Sequence, residues 1–296
     1  DSLGTAKMAT ADPSKYYVPH GCHWPVVGAS GLLLTMAGVS AWLNGSTFGM
    51  WTFYAGLGVV VFMMFGWFGN VIDESEGGIY SAQVDTSFRM GMSWFIFSEV
   101  KFFAAFFGAL FYARSYALPW LDGGSNNFFT NSLLWTGFES SWPSNGPSGI
   151  GGTFQSMGPL GLPLINTLIL ISSSVTITIA HRALVADKRN VVKFWLAATF
   201  LLGFVFVYLQ AVEYIHAYKE LNLTLETGIY GSTFFMLTGF HGMHVSIGAL
   251  MLFIVWIRIM RGHFTAKHHF AFEASAWYWH FVDVVWLGLY IFVYWL

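Results

Sequence analysis

Long apolar runs separated by shorter polar connections dominate the chain, and this pattern predicts membrane-spanning helices. Seven runs are long enough to cross roughly 30 Å of hydrocarbon at about 20 residues each. They lie near residues 26–43, 51–69, 90–113, 162–181, 192–215, 229–256 and 275–295. A closed barrel would need short strands of alternating polarity, so these continuous runs favour an all-α polytopic membrane protein with seven transmembrane helices.

The composition agrees with this prediction and limits the other possible classes. Hydrophobic residues make up 55% of the chain and charged residues 9%, whereas a soluble domain is about a quarter charged. There is therefore little room for a large aqueous domain, and the net charge of −2 does not indicate a nucleic-acid partner. Cys22 is the only cysteine, which excludes an intrachain disulfide, a four-cysteine zinc site and a cysteine-ligated iron–sulfur cluster.

The distribution of basic residues predicts the orientation of the helices. With the N-terminus inside, ten lysines and arginines lie in inner segments and two lie in outer segments. The inner ones are Lys7, Lys15, Arg89, Arg182, Lys188, Arg189, Lys193, Arg258, Arg261 and Lys267, and the outer ones are Arg114 and Lys219. A missed helix would scramble this positive-inside bias, so it supports seven helices, a cytoplasmic N-terminus and a periplasmic C-terminus.

The longest connection, at about 114–161, is predicted to be an outer loop. It is rich in glycine, serine, asparagine and proline, as in Trp142-Pro143-Ser-Asn-Gly-Pro147, and these are turn and loop signals. Its aromatic residues suggest that it lies on the membrane surface or on a partner. The length of this loop favours a bacterial inner membrane over a mitochondrion. We expect residues 1–296 to form a single membrane domain.

Glu99 is an ionisable residue inside the third run. It lies ten residues from Arg89, or about 15 Å along a helix, which places it near the middle of the bilayer. It could serve as a proton-relay carboxylate, an ion site or a buried structural contact. Lys101 is two residues further along, so it points to a different face and is a poor partner for Glu99.

Two further pairs of polar residues are three apart on predicted helices. His241 and His244 could be metal or haem ligands, but no carboxylate is in the same run, so packing and hydrogen bonding to a neighbouring helix are favoured. Gln210 and Glu213 share one face near the outer end of the fifth run. We expect these two at a solvated helix end, with a buried structural role as the alternative.

The last run contains His280 and Asp283, and Glu273 lies just before it, which argues against a plain lipid-facing anchor. We expect an internal helix whose polar groups are satisfied by neighbours, and His280 and Asp283 are close enough in sequence to pair. The connection before it is basic, with His263, Lys267, His268 and His269 beside Arg258 and Arg261. Such a cluster suits a phospholipid headgroup, and it is also what ordinary positive-inside topology produces.

These residues form motifs that resemble subunit III of cytochrome c oxidase, in the haem–copper oxidase superfamily. The most specific are Tyr230-Gly-Ser-Thr-Phe-Phe, Thr238-Gly-Phe-His241-Gly-Met-His244-Val, His263-Phe-Thr-Ala-Lys-His268-His269-Phe-Ala-Phe-Glu273 and Trp277-Tyr-Trp-His280-Phe-Val-Asp283-Val-Val-Trp286. Ser98-Glu99-Val, Leu209-Gln210-Ala-Val-Glu213-Tyr214 and His23-Trp24-Pro25 also fit. The similarity runs from about residue 20 to the end and is weakest in the 114–161 loop.

The resemblance implies a non-redox subunit with no catalytic residue and no metal or haem of its own. Haem and copper would reside in partner subunits, with subunit I in direct contact, subunit II and small accessory subunits nearby, and cytochrome c acting through the complex. The chain would stabilise the catalytic subunit and support its proton uptake during cytochrome c oxidation, O2 reduction to water and proton pumping.

The resemblance also implies a V-shaped bundle of two helices (about 26–69) and five (about 90–295), whose cleft holds phospholipids. The family's buried glutamate corresponds to Glu99, its headgroup residues to Glu74, Arg258 and His263, and its cleft tryptophan to Trp67. Glu213, His241, His244, Glu273, His280 and Asp283 would be structural polar residues inside the membrane.

This sequence departs from the family pattern in two places. The run Trp67-Phe-Gly69-Asn70-Val-Ile-Asp73-Glu74 lacks an arginine that many members carry there, so it offers less positive charge to a lipid phosphate. Lys101 stands where family members usually carry an apolar residue, after the Ser98-Glu99-Val motif.

Three alternative functions stay open at this point. They are the equivalent subunit of a quinol oxidase, a self-contained enzyme binding haem or metal through His241, His244 and His280, and a proton-conducting membrane protein.

Overall fold

The computed structural model describes residues 16–18 and 21–295, and within these ranges the chain is helical and has no strand. The long helices are α1 Trp24–Leu43, α2 Thr47–Glu76, α3 Ala82–Tyr112, α5 Leu162–Val185, α6 Arg189–Lys219, α7 Gly228–Met260 and α8 Phe270–Leu289. One short helix, α4, covers Leu118–Leu121. Wider π-helical turns cover Ala113–Ala117, Thr130–Leu134 and Tyr290–Trp295.

Seven helices in the described residues are long and apolar enough to cross a membrane, which confirms the predicted number. Most of them extend past the predicted apolar run by several residues, because polar residues continue the helix beyond the hydrocarbon. The second predicted span ends at residue 69, for example, whereas α2 continues through Asp73 and Glu74 to Glu76. Lys7 and Lys15, which contribute to the predicted orientation, lie outside the described residues.

The chain divides into two compact units, Asp1–Met90 and Gly91–Leu296. The boundary falls within α3, which begins in the first unit and ends in the second. The grouping of two helices against five stays a prediction.

The first unit is built on close contact between α1 and α2. A Cβ atom at Gly38 would collide with the backbone of Phe53, and one at Gly56 would collide with the backbone of Thr35. Small residues of this kind let two membrane helices approach closely and gain dispersion contacts. The glycines that dilute the first apolar run are therefore the residues that hold its helix against the second.

The second unit has a core of large side chains contributed by α5 to α8. Trp279 and Trp286 of α8 are fully buried, and each indole N–H donates to a hydroxyl of α5. Trp279 Nε1 lies 2.9 Å from Ser173 Oγ, and Trp286 Nε1 lies 2.9 Å from Thr167 Oγ1. Because buried N–H groups need acceptors, these two bonds fix α8 against α5 in one register.

The outer loop packs against its own chain, at the connection between α6 and α7. Asn222 Nδ2 donates to the Gly151 and Thr153 carbonyls at 3.0 and 2.9 Å, and the Gln155 N–H donates to the Leu221 carbonyl at 2.9 Å. This is a contact that the loop composition did not reveal.

Candidate functional site: polar side chains inside the second unit

Glu99 of α3 and His244 of α7 form a pair within the second unit. Glu99 Oε2 lies 2.9 Å from His244 Nε2, while His244 Nδ1 lies 2.6 Å from the Phe240 carbonyl. A carbonyl only accepts, so Nδ1 must carry a proton, and the bond to Glu99 needs a second proton on either Nε2 or the carboxyl group. Phe102 and Phe103 pack against the imidazole at 5.9 and 5.0 Å between ring centroids. The pair therefore holds one shareable proton in an aromatic environment.

His241 lies one turn before His244 and contacts a different helix. Its ring is fully buried, and Nε2 lies 3.2 Å from the Val282 carbonyl of α8. Because that carbonyl can only accept, Nε2 is the donor. Phe206 and Trp286 pack on the ring at 5.5 and 4.9 Å between centroids. The predicted role in packing and hydrogen bonding between helices agrees with this geometry.

The expectation of a solvated helix end at Gln210 and Glu213 was wrong. Glu213 is 0% exposed, and its Oε1 accepts a 2.7 Å hydrogen bond from the Tyr294 hydroxyl. Gln210 Nε2 donates to the Thr238 carbonyl of α7 at 2.7 Å. Both residues are buried because α7 and the chain's final turn cover this face of α6, which a sequence pattern along α6 alone does not indicate.

The polar residues of α8 face different neighbours. His280 Nδ1 lies 2.7 Å from Ser174 Oγ of α5, but 4.0 Å from Asp283 Oδ2. The predicted bond between His280 and Asp283 is therefore replaced by a contact with α5. Asp283 is 7% exposed and lines a small cavity with Ser174 and His280. Glu273 lies in the first turn of α8, with its Oε1 3.9 Å from His181 Nε2.

The predicted lipid residues of the second unit contact each other. The Arg258 guanidinium lies 4.2 Å over the ring of Phe264, and Arg258 Nε lies 3.4 Å from His263 Nδ1. Arg258 is only 8% exposed, while His263 is partly exposed. A cation is thus held at the end of α7 by an aromatic face and a histidine, at the point where a helix leaves the predicted span.

The predicted lipid residues of the first unit lie on α2. Trp67 is 49% exposed, and Glu74 Oε2 accepts a 2.7 Å hydrogen bond from the Tyr80 hydroxyl. Burial, and then the hydrogen bond to this carboxylate, raise the pKa of Tyr80 above its ordinary value. The tyrosine therefore stays a hydrogen-bond donor and fixes one oxygen of Glu74.

Several partners were missed by the sequence analysis because they lie on distant segments. Tyr294, Ser174 and His181 carry no motif of their own, and only the fold brings them to Glu213, His280 and Glu273. A contact within one helix was also missed: the Lys101 ammonium lies 4.6 Å from the Phe97 ring centroid. A residue four positions earlier on a helix is a neighbour, so spacing alone could have found that contact.

Comparison with known proteins adds the family context. Residues 14–296 match the family model described as Cytochrome c oxidase subunit III. Relatives named "Cytochrome c oxidase subunit 3" include one from Homo sapiens, 42% identical over 281 residues, covering 95% of this chain and 96% of the relative. One from Mus musculus is 41% identical over the same coverage. One from Marchantia polymorpha is 40% identical over 289 residues, covering 97% and 98%.

Proposed function

The chain belongs to the cytochrome c oxidase subunit III family, and we propose that it is the non-redox, lipid-binding subunit that stabilises the catalytic subunit. The observation that carries this proposal is the contact between Glu99 and His244, at 2.9 Å. The carboxylate that the sequence places near the middle of the bilayer contacts a histidine of the same chain. The contact between Glu99 and His244 therefore holds α3 against α7, and the two side chains share one proton.

The histidines suit this structural role better than haem or copper ligation. Both nitrogens of His244 already contact oxygen atoms, of Phe240 and Glu99, and His241 Nε2 contacts the Val282 carbonyl. A ligand role would require breaking these contacts in a buried, aromatic environment. We therefore assign haem and copper to partner subunits, with subunit I in direct contact and subunit II nearby, and cytochrome c as the donor to the whole complex.

We further propose that phospholipids bind at two places. In the second unit, Arg258 supplies positive charge and His263 supplies a further hydrogen-bonding group for a headgroup phosphate. In the first unit, Trp67 offers an exposed aromatic face to acyl chains, and Glu74 offers a carboxylate to a cationic headgroup. Arg258→Met should remove tightly bound phospholipid detected by mass spectrometry of the purified complex, while Arg261→Met, on the exposed neighbouring position, should leave it in place.

The chain is a multi-pass membrane protein, and we propose a bacterial inner membrane with the N-terminus in the cytoplasm. The excess of lysine and arginine in alternate connections supports this orientation. The relatives named above are eukaryotic, so the bacterial membrane rests on the long 114–161 loop alone. Accessibility of single cysteines introduced at Lys188 and Glu139 to a membrane-impermeant reagent would test the orientation.

The proposed function is tested by purifying the oxidase with and without this chain. We expect the two preparations to show the same haem spectrum and nearly the same initial rate of O2 consumption with reduced cytochrome c. The preparation without the chain should then lose activity progressively during turnover, because proton uptake by the catalytic subunit is no longer supported. Loss of the haem spectrum, or proton flux through vesicles holding this chain alone, would contradict the proposal.

A further inference from the structure

A cavity of about 230 Å³ opens at the surface of the second unit, between α5 and α8. Its polar lining consists of Ser174, His280 and Asp283. Ile171 of α5 and Val284 of α8 also line it, and both are exposed apolar side chains. The cavity therefore combines a polar interior with an apolar rim that faces whatever surrounds these two helices in the membrane.

The carboxylate inside this cavity has no partner of its own. Asp283 is buried, and neither of its carboxylate oxygens has a hydrogen-bond partner among the described residues. His280 Nδ1 is 4.0 Å from Asp283 Oδ2, which is too long for a hydrogen bond, and lies 2.7 Å from Ser174 Oγ instead. Because a buried polar group without a partner is costly, we expect the partner to come from outside this chain.

The depth of Asp283 limits what that partner can be. Asp283 lies at the centre of the last span, Phe270–Trp295, where roughly 30 Å of hydrocarbon surrounds the protein. Acyl chains carry no hydrogen-bond donor, and headgroups lie at the two membrane surfaces. A second copy of this chain is also unsuitable, because a two-fold contact would place the same face, and a second carboxylate, against the first.

We propose that the cavity receives a hydrogen-bond-donating side chain from a transmembrane helix of another oxidase subunit. The donor contacts the Asp283 carboxylate, and apolar side chains of the same helix pack on the rim at Ile171 and Val284. Ionisable residues inside membranes generally face protein and pair there, and polar contacts between helices add to their packing. The proposal rests on the proposed function in that the chain must assemble with other oxidase subunits.

The first test measures how fast this chain dissociates from the purified oxidase in detergent. Asp283→Ala should raise the rate of dissociation about 10- to 100-fold, because a hydrogen bond to a charged group is worth roughly that factor. Asp283→Asn keeps an oxygen that accepts a hydrogen bond, so it should reverse much of the increase. Val284→Ala is the matched control on the rim. It removes apolar contact only, and an effect as large as that of Asp283→Ala would overturn the proposal.

The isolated chain gives the complementary measurement. Since Asp283 makes no hydrogen bond within the described residues, Asp283→Ala should leave the free energy of unfolding of the chain in mixed micelles unchanged or higher. Stability should therefore depend on this carboxylate only in the complex. If the isolated variant unfolds more easily than the wild type, the carboxylate serves its own chain and the proposal is overturned.

Cross-linking in the assembled oxidase identifies the occupant. A photoactivatable reagent attached to Val284→Cys, in a Cys22→Ser background, should link to a transmembrane segment of another subunit that carries a hydrogen-bond donor. The control is Leu201→Cys, at an exposed position on α6, which should not link to that segment. Links only to lipid, to a small hydroxylated molecule or to a second copy would overturn the proposal. A wild-type chain that fails to assemble with oxidase subunits would overturn the proposed function as well.

Discussion

The α1–α2 hairpin and the α7–α8 pair show two ways of holding membrane helices together. In the first, Gly38 and Gly56 bring two backbones into contact at positions that have no side chain. In the second, His241 of α7 contacts the Val282 carbonyl of α8, and Tyr278 donates to the His244 carbonyl at 3.4 Å. The first depends on the absence of side chains, and the second depends on specific polar partners.

This difference follows from what lipid can and cannot supply. Lipid tails solvate apolar side chains as well as another helix does, so close backbone contact is one source of stability and polar contacts are another. A glycine contact needs only shape, so it tolerates no added atoms. A polar contact needs a partner, so it tolerates no deletion. The predictions below test this contrast, in order of decreasing effect.

The largest effect should come from removing one partner of the part-buried pair of Glu99 and His244. Glu99→Ala leaves the buried imidazole of His244 without its side-chain partner, and a buried polar group left unsatisfied costs up to about 3 kcal/mol. We expect that loss in the free energy of unfolding measured in mixed micelles. Glu99→Gln, which keeps a hydrogen-bonding group of the same size, should recover much of it. Equal losses in the two variants would contradict a specific pair.

The glycine contact should be broken by adding a side chain. Gly38→Val would drive a side chain into the Phe53 backbone, and overpacking of this kind costs about 2 kcal/mol. Gly58→Val is the matched control on α2, because no atom outside its own helix lies within 4 Å of a Cβ placed there. Unfolding of the two variants should differ clearly, and similar stabilities would show that the hairpin is not held by backbone contact.

Tyr294→Phe tests a second polar contact in the second unit. It removes the hydroxyl that donates to Glu213 Oε1 at 2.7 Å in a buried site, and should cost about 1.5 kcal/mol in the same unfolding measurement. Tyr290→Phe is the comparison, since its hydroxyl makes a longer bond of 3.3 Å to the Pro159 carbonyl at a half-buried position. A larger effect at Tyr290 than at Tyr294 would contradict the assigned role of Glu213.

The smallest effect is expected in the first unit, at Tyr80. Tyr80→Phe removes the 2.7 Å bond to Glu74, which lies at a partly exposed position where water can replace the donor, so about 0.5 kcal/mol is expected. Titration of the Tyr80 hydroxyl in the wild type, followed by ultraviolet absorbance, should give a pKa above that of exposed tyrosine. A normal pKa would contradict the bond to the carboxylate.

The sequence predicted the helices better than their contacts. Apolar runs located all seven spans, because hydrocarbon thickness sets a length that composition must satisfy. The depth of Glu99 followed from its distance to Arg89, but its partner His244 could not be assigned. Glu213 was misplaced because the covering Tyr294 is distant in sequence and lies in an apolar turn. The approach of His181 to Glu273 likewise depends on how α5 packs against α8.

The most direct test of the central claim uses an assembled oxidase that carries Glu99→Ala. If the pair of Glu99 and His244 serves the bundle, the haem spectrum and the initial rate should match those of the wild type. Activity should then decline faster during sustained turnover, or on warming, in step with the lost stability. An altered haem spectrum, or an initial rate abolished in a stable complex, would place Glu99 in the redox chemistry and contradict the account.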